Sequence, residues 1–188
     1  VTLAAATITM GAISQGAKLE QSLGGVDTLF KDSSSVVKAN AASAFKTAGL
    51  SANEYMEQIT SFSASLIGSL SGDTAKAATV ADMAMGDMSD NANKFGTDME
   101  SIQNAYQGFA KQNYTMLDNL KLGYGGTKEE MQRLLQDAQK LTGTEYNIDN
   151  LSDVYNAIHA VQNQLGVTGT TAKEASETFS GSFSAMKA

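Results

Sequence analysis

The sequence predicts an all-α fold, an irregular bundle of about eight short-to-medium helices separated by glycine turns, with no secure strand. Three observations predict it. Ser or Thr precedes an apolar stretch with Glu three residues on at Ser51/Glu54, Thr97/Glu100, Thr127/Glu130 and Thr171/Glu174. In that pairing each side chain satisfies a backbone N–H at a helix start. The stretches that follow repeat apolar residues at steps of three and four, the signature of a half-buried helix. Proline is absent while glycine occurs 17 times, so the strongest helix breaker is missing and glycine does the punctuation. There is no internal repeat and no sustained heptad run, which excludes a continuous coiled coil.

Taken in order, Val1–Ala17 carries no charge. Leu3, Thr7, Met10 and Ser14 mark one helical face, diluted by Thr, Ser, Gln and Gly. A membrane span needs about 20 mainly apolar residues, and a secretory leader needs a basic start. The stretch has neither and reads as a packed or fragment-end helix. Lys18–Leu23 continues it and Gly24-Gly25 is expected to end it, giving an Ala-rich extension over 1–23 and a compact domain over 24–188. Val26–Lys31 reads as a turn of helix. Ser33 to Ser35 supply a cap for the next helix, which runs to about Ala48 with Val36, Val37, Ala41, Ala44 and Phe45 inward and Gly49 as its stop.

The helix after Ser51 has the clearest face: Tyr55, Ile59, Phe62, Leu66 and Leu70, with Met56, Ser63 and Ile67 beside them. Gly72 breaks it. Asp73 or Thr74 caps the next helix, roughly Thr74–Lys94, whose Ala77, Ala81, Ala84, Met85 and Met88 face in and whose alanines allow close helix approach. Gly96 ends it. Ile102, Tyr106 and Phe109 then mark a helix lasting to Gln112. A polar break at Asn113 leads to the apolar cluster Tyr114, Met116, Leu117, Leu120 and Leu122, and to a glycine turn at Gly123, Gly125 and Gly126. The helix Lys128–Leu141 has Met131, Leu134, Leu135, Ala138 and Leu141 inward and stops at Gly143. In the polar linker Thr144–Asn150, Tyr146 and Ile148 alternate as in a brief extended segment. Asn150 or Ser152 caps a helix carrying Val154, Ile158, Val161 and Leu165, closed by Gly166. The last face is Ala175, Phe179, Ser182/Phe183 and Met186.

The chain of 188 residues fits one domain, or one plus an extension, and a chain of that size buries roughly 70% of its unfolded surface. Apolar residues make up 42% and aromatics only 7%, so the core relies on small side chains and gains less per residue from burial. Cysteine is absent, which excludes disulfides and thiolate metal sites. The net charge is −7, from 20 acidic and 13 basic residues. That balance repels a polyanion, and sequence-specific nucleic acid is not an expected partner. The chain starts on Val1 and stops in mid-pattern at Ser184–Ala188, and it reads as a piece of a longer protein.

No residue is assigned a catalytic, cofactor-binding or metal role. His159 is the sole histidine, and catalysis or ligation needs partners that the sequence does not supply beside it; a surface or helix-side position is expected. Gly123–Lys128 (GYGGTK) places glycines before a helix N-terminus, where an anion can bind, but the Walker spacing is not met. The expected reason for these glycines is a turn at positive φ. Asp82, Asp87, Asp90 and Asp98 miss the calcium-loop pattern and read as a solvated helix face and caps. Met83, Met85 and Met88 read as core filling. Carboxylates are plentiful, but none is singled out as a glycosidase acid, and Glu145 sits in a polar linker.

Asn104–Leu135, NAYQGFAKQNYTMLDNLKLGYGGTKEEMQRLL, closely resembles the signature region of tail tape measure proteins of long-tailed bacteriophages and related prophages of Gram-positive hosts. The resemblance extends through Gly49–Leu66, Met88–Gln103 and Leu151–Lys187, and is weakest before Leu19. It implies a non-enzymatic structural component of a virion tail, assembled in the bacterial host cytoplasm, that fills the tail tube, sets tail length and assists DNA ejection. The partners it implies are further copies of itself, the tail tube protein, tail-tip proteins, tail assembly chaperones and, on ejection, the host envelope. Because glycine interrupts the helices, this piece is expected to flank the ruler and not to be the ruler. The alternatives are a cell-wall hydrolase accessory segment and a membrane-active helical module.

Overall fold

The protein was obtained as a computed structural model that describes residues 13–173, with side chains from Lys18 onward. Among these residues the fold is all-α. The elements are α1 (Ile13–Phe30), a 3₁₀ turn (Lys31–Ser33), α2 (Ser34–Ala48), α3 (Ala52–Ser69), α4 (Thr74–Phe95), α5 (Met99–Ala110), a second 3₁₀ turn (Leu117–Leu120), α6 (Lys128–Thr142) and α7 (Leu151–Gln164). The N-terminal face through Met10, the Thr171/Glu174 pairing and the face from Ala175 to Met186 lie outside the described residues.

Local chemistry explains most of the boundaries. Ser51 and Glu54 form the reciprocal capping box at the start of α3: Glu54 N–H donates to Ser51 Oγ at 3.2 Å and Ser51 N–H to Glu54 Oε2 at 2.9 Å. Asp73 caps α4 by accepting from Lys76 N–H at 3.0 Å, and Asn150 caps α7 by accepting from Asp153 N–H at 3.1 Å. Gly49, Gly96 and Gly143 end their helices in the left-handed conformation.

Helices α3 and α4 form the centre. α3 packs on α1, α2, α4, α5 and α7, and α4 on α2, α3, α5 and α7, while α6 lies against α7. The face of α3 read from the sequence is buried through Leu66, and Ala77, Ala81, Ala84, Met85 and Met88 of α4 are buried as expected. Phe62, Tyr106 and Tyr155 bring α3, α5 and α7 to one aromatic joint. Phe62 meets Tyr155 edge-on at 5.5 Å, and Tyr106 lies 5.1 Å from Tyr155 between ring centroids. Such contacts add about 0.5–1.5 kcal/mol each beyond burial.

Several expectations need correction. α1 runs unbroken across Gly24-Gly25, so the boundary drawn after Leu23 falls inside a helix. Each glycine costs a helix about 1 kcal/mol, but burying Val26 and Phe30 completely on the far side of the pair returns about 1.5–3 kcal/mol each. Gly25 also faces α3, where a Cβ would sit 3.4 Å from Thr60 Cγ2. Ser33 does not cap α2 through its side chain and instead shares a 2.9 Å hydrogen bond with Thr74 Oγ1. Thr97 and Glu100 form no box, because the helix starts at Met99 with Asp98 at the cap and the spacing is one residue short. Tyr146 and Ile148 are half-buried against the core without forming a strand. Val36, Phe45, Leu141 and Leu165, all placed inward by periodicity, are exposed.

The Gly24 conformation is testable. No atom lies within 4 Å of a Cβ built there, and the position is helical. Gly24→Ala therefore raises the unfolding free energy by about 1 kcal/mol in denaturant titration. A helix ending at that glycine would give a loss.

Candidate functional site

Two clusters of polar side chains organise this chain. The first is one turn of α4. Ala84 and Met88 continue the buried face of that helix, and at the same period Asp87 and Asn91 take core positions, only 2% and 0% exposed. Ser89 and Asp90 beside them are also buried. Buried polar groups persist when they are bonded, and these bond to α2, the second 3₁₀ turn, α7 and residues 169–171.

The Asn91 side-chain amide donates to Leu120 O and to Gln162 Oε1, both at 2.8 Å, while its Oδ1 has no protein partner. Gln162, fully buried on α7, donates back to Asp87 O at 3.1 Å. Asp90 accepts from Gly169 N–H at 2.7 Å and Thr171 N–H at 2.9 Å. It thus caps from outside the helical residues 170–173. Ser89 Oγ donates to Ala48 O at 2.6 Å, satisfying a terminal carbonyl of α2.

His159, 36% exposed, places Nδ1 2.9 Å and 3.0 Å from the two carboxylate oxygens of Asp87. The Asp87 carboxylate holds the imidazole above its ordinary value, while burial pushes Asp87 itself up and His159 draws it down. The pair therefore ties α7 to α4 most strongly when His159 is charged. Burial, and after it the Asp87 charge, push the Tyr106 phenol well above its ordinary value. Tyr106 Oη has no protein partner, and its backbone carbonyl accepts from Tyr155 Oη at 2.9 Å.

The second cluster closes the glycine turn onto α6. Thr127 accepts from Glu130 N–H at 3.1 Å, but Glu130 does not reciprocate as a capping box requires. Its carboxylate turns to Gly125 N–H at 3.1 Å and to Arg133 Nε at 2.7 Å. Those two contacts hold Glu130 at about 2, the Arg133 bond first. Arg133 also donates to Gly123 O at 2.7 Å and stands 4.2 Å from the centroid of Tyr124. Tyr124 Oη donates to Asp137 Oδ2 at 2.5 Å.

The glycines serve two different purposes. Gly123 has φ +94°, as a positive-φ turn requires. At Gly126 the constraint is proximity, since a Cβ would lie 2.2 Å from Thr115 O.

No family model, curated protein or solved structure matches this chain. Of the residues weighed from the sequence, Asp87 and Asp90 are buried joints and not a solvated face. Asp82 accepts from Tyr55 Oη at 2.5 Å, and Asp98 occupies the cap position of α5. Met85 and Met88 fill the core and Met83 packs partly buried against it, while Glu145 is exposed on the linker. Among the described residues no group of three or more His, Asp or Glu side chains is placed to hold a metal ion. Sequence reasoning missed Asn91 and Gln162. The available signal was a polar residue at a core step: Asn91 follows Met88 by three, and Gln162 follows Ile158 by four.

Two outcomes check this geometry. Gly126→Ala destabilises by about 1–3 kcal/mol or more, because backbone must move to admit the methyl group, whereas Gly86→Ala, with open space around it inside α4, stabilises by about 0.5–1 kcal/mol. For the His159–Asp87 pair, a raised histidine value contributes stability that is full below about pH 6.5 and fades as pH rises through the raised value. Stability therefore falls as pH rises above about 6.5 and through the raised histidine value. The change is less than about 1 kcal/mol because solvent screens the half-exposed ring. His159→Gln flattens this slope. Denaturant titrations at stepped pH read it, and a rising slope contradicts the pair.

Proposed function

We propose that this chain is a folded segment of a phage tail tape measure protein, with a structural and not a catalytic role, standing beside the ruler. The single observation that carries this reading is the resemblance of Asn104–Leu135. That stretch forms the second half of α5, the second 3₁₀ turn, the glycine turn and the first half of α6. It holds Tyr106 of the aromatic joint, the Leu120 carbonyl bonded by Asn91, and the Glu130–Arg133 pair.

Helix lengths favour a flanking domain over a ruler. The longest described helix, α4, has 22 residues, about 33 Å at 1.5 Å per residue, and the helices pack against one another in one body. In this reading the segment acts in the virion tail after assembly in the host cytoplasm. It contacts further copies of itself, the tube and tip proteins and the assembly chaperones. On ejection it meets the host envelope; among the described residues no helix is long and apolar enough to cross a membrane.

Two measurements test the reading. Mass spectrometry of purified tails finds peptides of this segment, and tails lacking them overturn the assignment. An in-frame duplication of residues 13–173 in the parent protein leaves tail length unchanged by electron microscopy. Elongation by about 240 Å, the span of that many residues as continuous helix, would make the segment ruler.

A further inference from the structure

The helical period runs unbroken through the joint between α1 and α2. Leu23, Val26, Phe30, Ser33, Val37 and Ala41 follow one another at steps of three and four, the spacing of one face of a single helix. All are buried except the half-buried Leu23. Yet α1 stops at Phe30 and α2 starts at Ser34. Lys31, Asp32 and Ser33 between them hold none of the signals that end the other helices. Every other junction between described helices contains a glycine, and this one contains neither glycine nor proline. Asp and Ser weaken a helix interior less than glycine does, and no side chain caps α2 at Ser33. The bend turns on Lys31 at φ +49°, a left-handed conformation that is costly for any residue with a Cβ.

Contacts between elements hold the bend. Val26, Phe30 and Val37 are fully buried, Ser33 Oγ and Thr74 Oγ1 share a 2.9 Å hydrogen bond, and Lys38 Nζ lies 2.6 Å from Asp27 Oδ1. In one continuous helix Asp27 and Lys38 would stand about 16 Å apart along the axis. We infer that residues 31–33 are a hinge, at which α1 leaves α3 and joins α2 in one straight helix over residues 13–48, about 54 Å long. Local chemistry favours the straight form. It returns Lys31 to the right-handed region and closes the backbone bonds left open at the end of α1 and the start of α2. Burial of α1 against α3 and α4 favours the bent form, which wins while α1 has that surface to cover. This inference goes beyond the tape measure reading and stands without it.

The test uses the full 188-residue chain, which has no cysteine. Thiols introduced at the exposed Gln21 and Ser43 carry two nitroxide labels, and double electron–electron resonance reads their separation. A straight helix places them about 33 Å apart, and the wild type gives a shorter distance. Val26→Ser strips α1 of a buried contact and moves a population to a narrow peak at the long distance, with helix content by circular dichroism unchanged. Adding Lys31→Gly abolishes that peak, because glycine accepts the left-handed φ and weakens the straight helix. A broad distribution with lost helicity, the wild-type distance alone in Val26→Ser, or a long distance that survives Lys31→Gly overturns the inference. If Val26→Ser does not fold, the buried thiol of Val26→Cys in the otherwise unaltered chain reads the same opening. Lys31→Gly then slows its chemical modification by at least about fivefold, and an unchanged rate overturns the hinge.

Discussion

The side-chain amide of Asn91 is the interaction on which the rest of the structure depends. It is fully buried, and its two N–H groups reach the carbonyl of Leu120 and the side chain of Gln162. The first contact fixes the 3₁₀ turn from which the glycine turn departs. The second fixes α7, and with it α6, which lies against α7. A polar side chain in a small apolar core is costly unless bonded, and sliding α7 along α4 would strip an Asn91 N–H, Gln162 Oε1 and Asp87 O of these partners. The Asp87–Asn91 turn therefore does what uniform apolar packing does poorly. It selects one register of α7 against α4.

The composition makes that selection necessary. The face of α4 toward its neighbours is largely alanine, which permits close approach but offers little shape to distinguish one axial position from the next. Met85 and Met88 of α4 itself are the exceptions, and large aromatic side chains gather at the Phe62–Tyr106–Tyr155 joint among α3, α5 and α7. Packing and polar pairing divide the work between them. The aromatic joint supplies buried area, and the α4 turn supplies direction. The glycine clasp adds a third constraint at the entry to α6, where Arg133 and Glu130 tie the turn to the helix that follows it.

Much of this was legible in the sequence where a local rule governs. The Ser51–Glu54 box, the Asp73 and Asn150 caps and the stops at Gly49, Gly96 and Gly143 depend on residues within a turn of each other. Their chemistry decided the outcome. Gly24-Gly25 misled because the same residue type ends a helix or admits a neighbouring helix, and only the position of Thr60 in space separates the two. Thr127 and Glu130 misled because a distant residue competed: Arg133 and Gly125 bind the carboxylate that the box would have used. Phe45 and Leu165 satisfied the period but not the fold, since periodicity states which residues share a face and not whether another element covers it. Asp87, Asp90, Asn91 and Gln162 were the hardest, because each partner lies on another element.

Native-state hydrogen exchange on Asn91→Ala is the most direct measurement of the central claim. If the Asn91 amide holds α6 and α7 to the body, the variant loses protection across residues 117–164 as one unit while α2 and α3 exchange as in the wild type. Loss confined to the few amides of α4 around residue 91, or spread evenly over the whole chain, would contradict it.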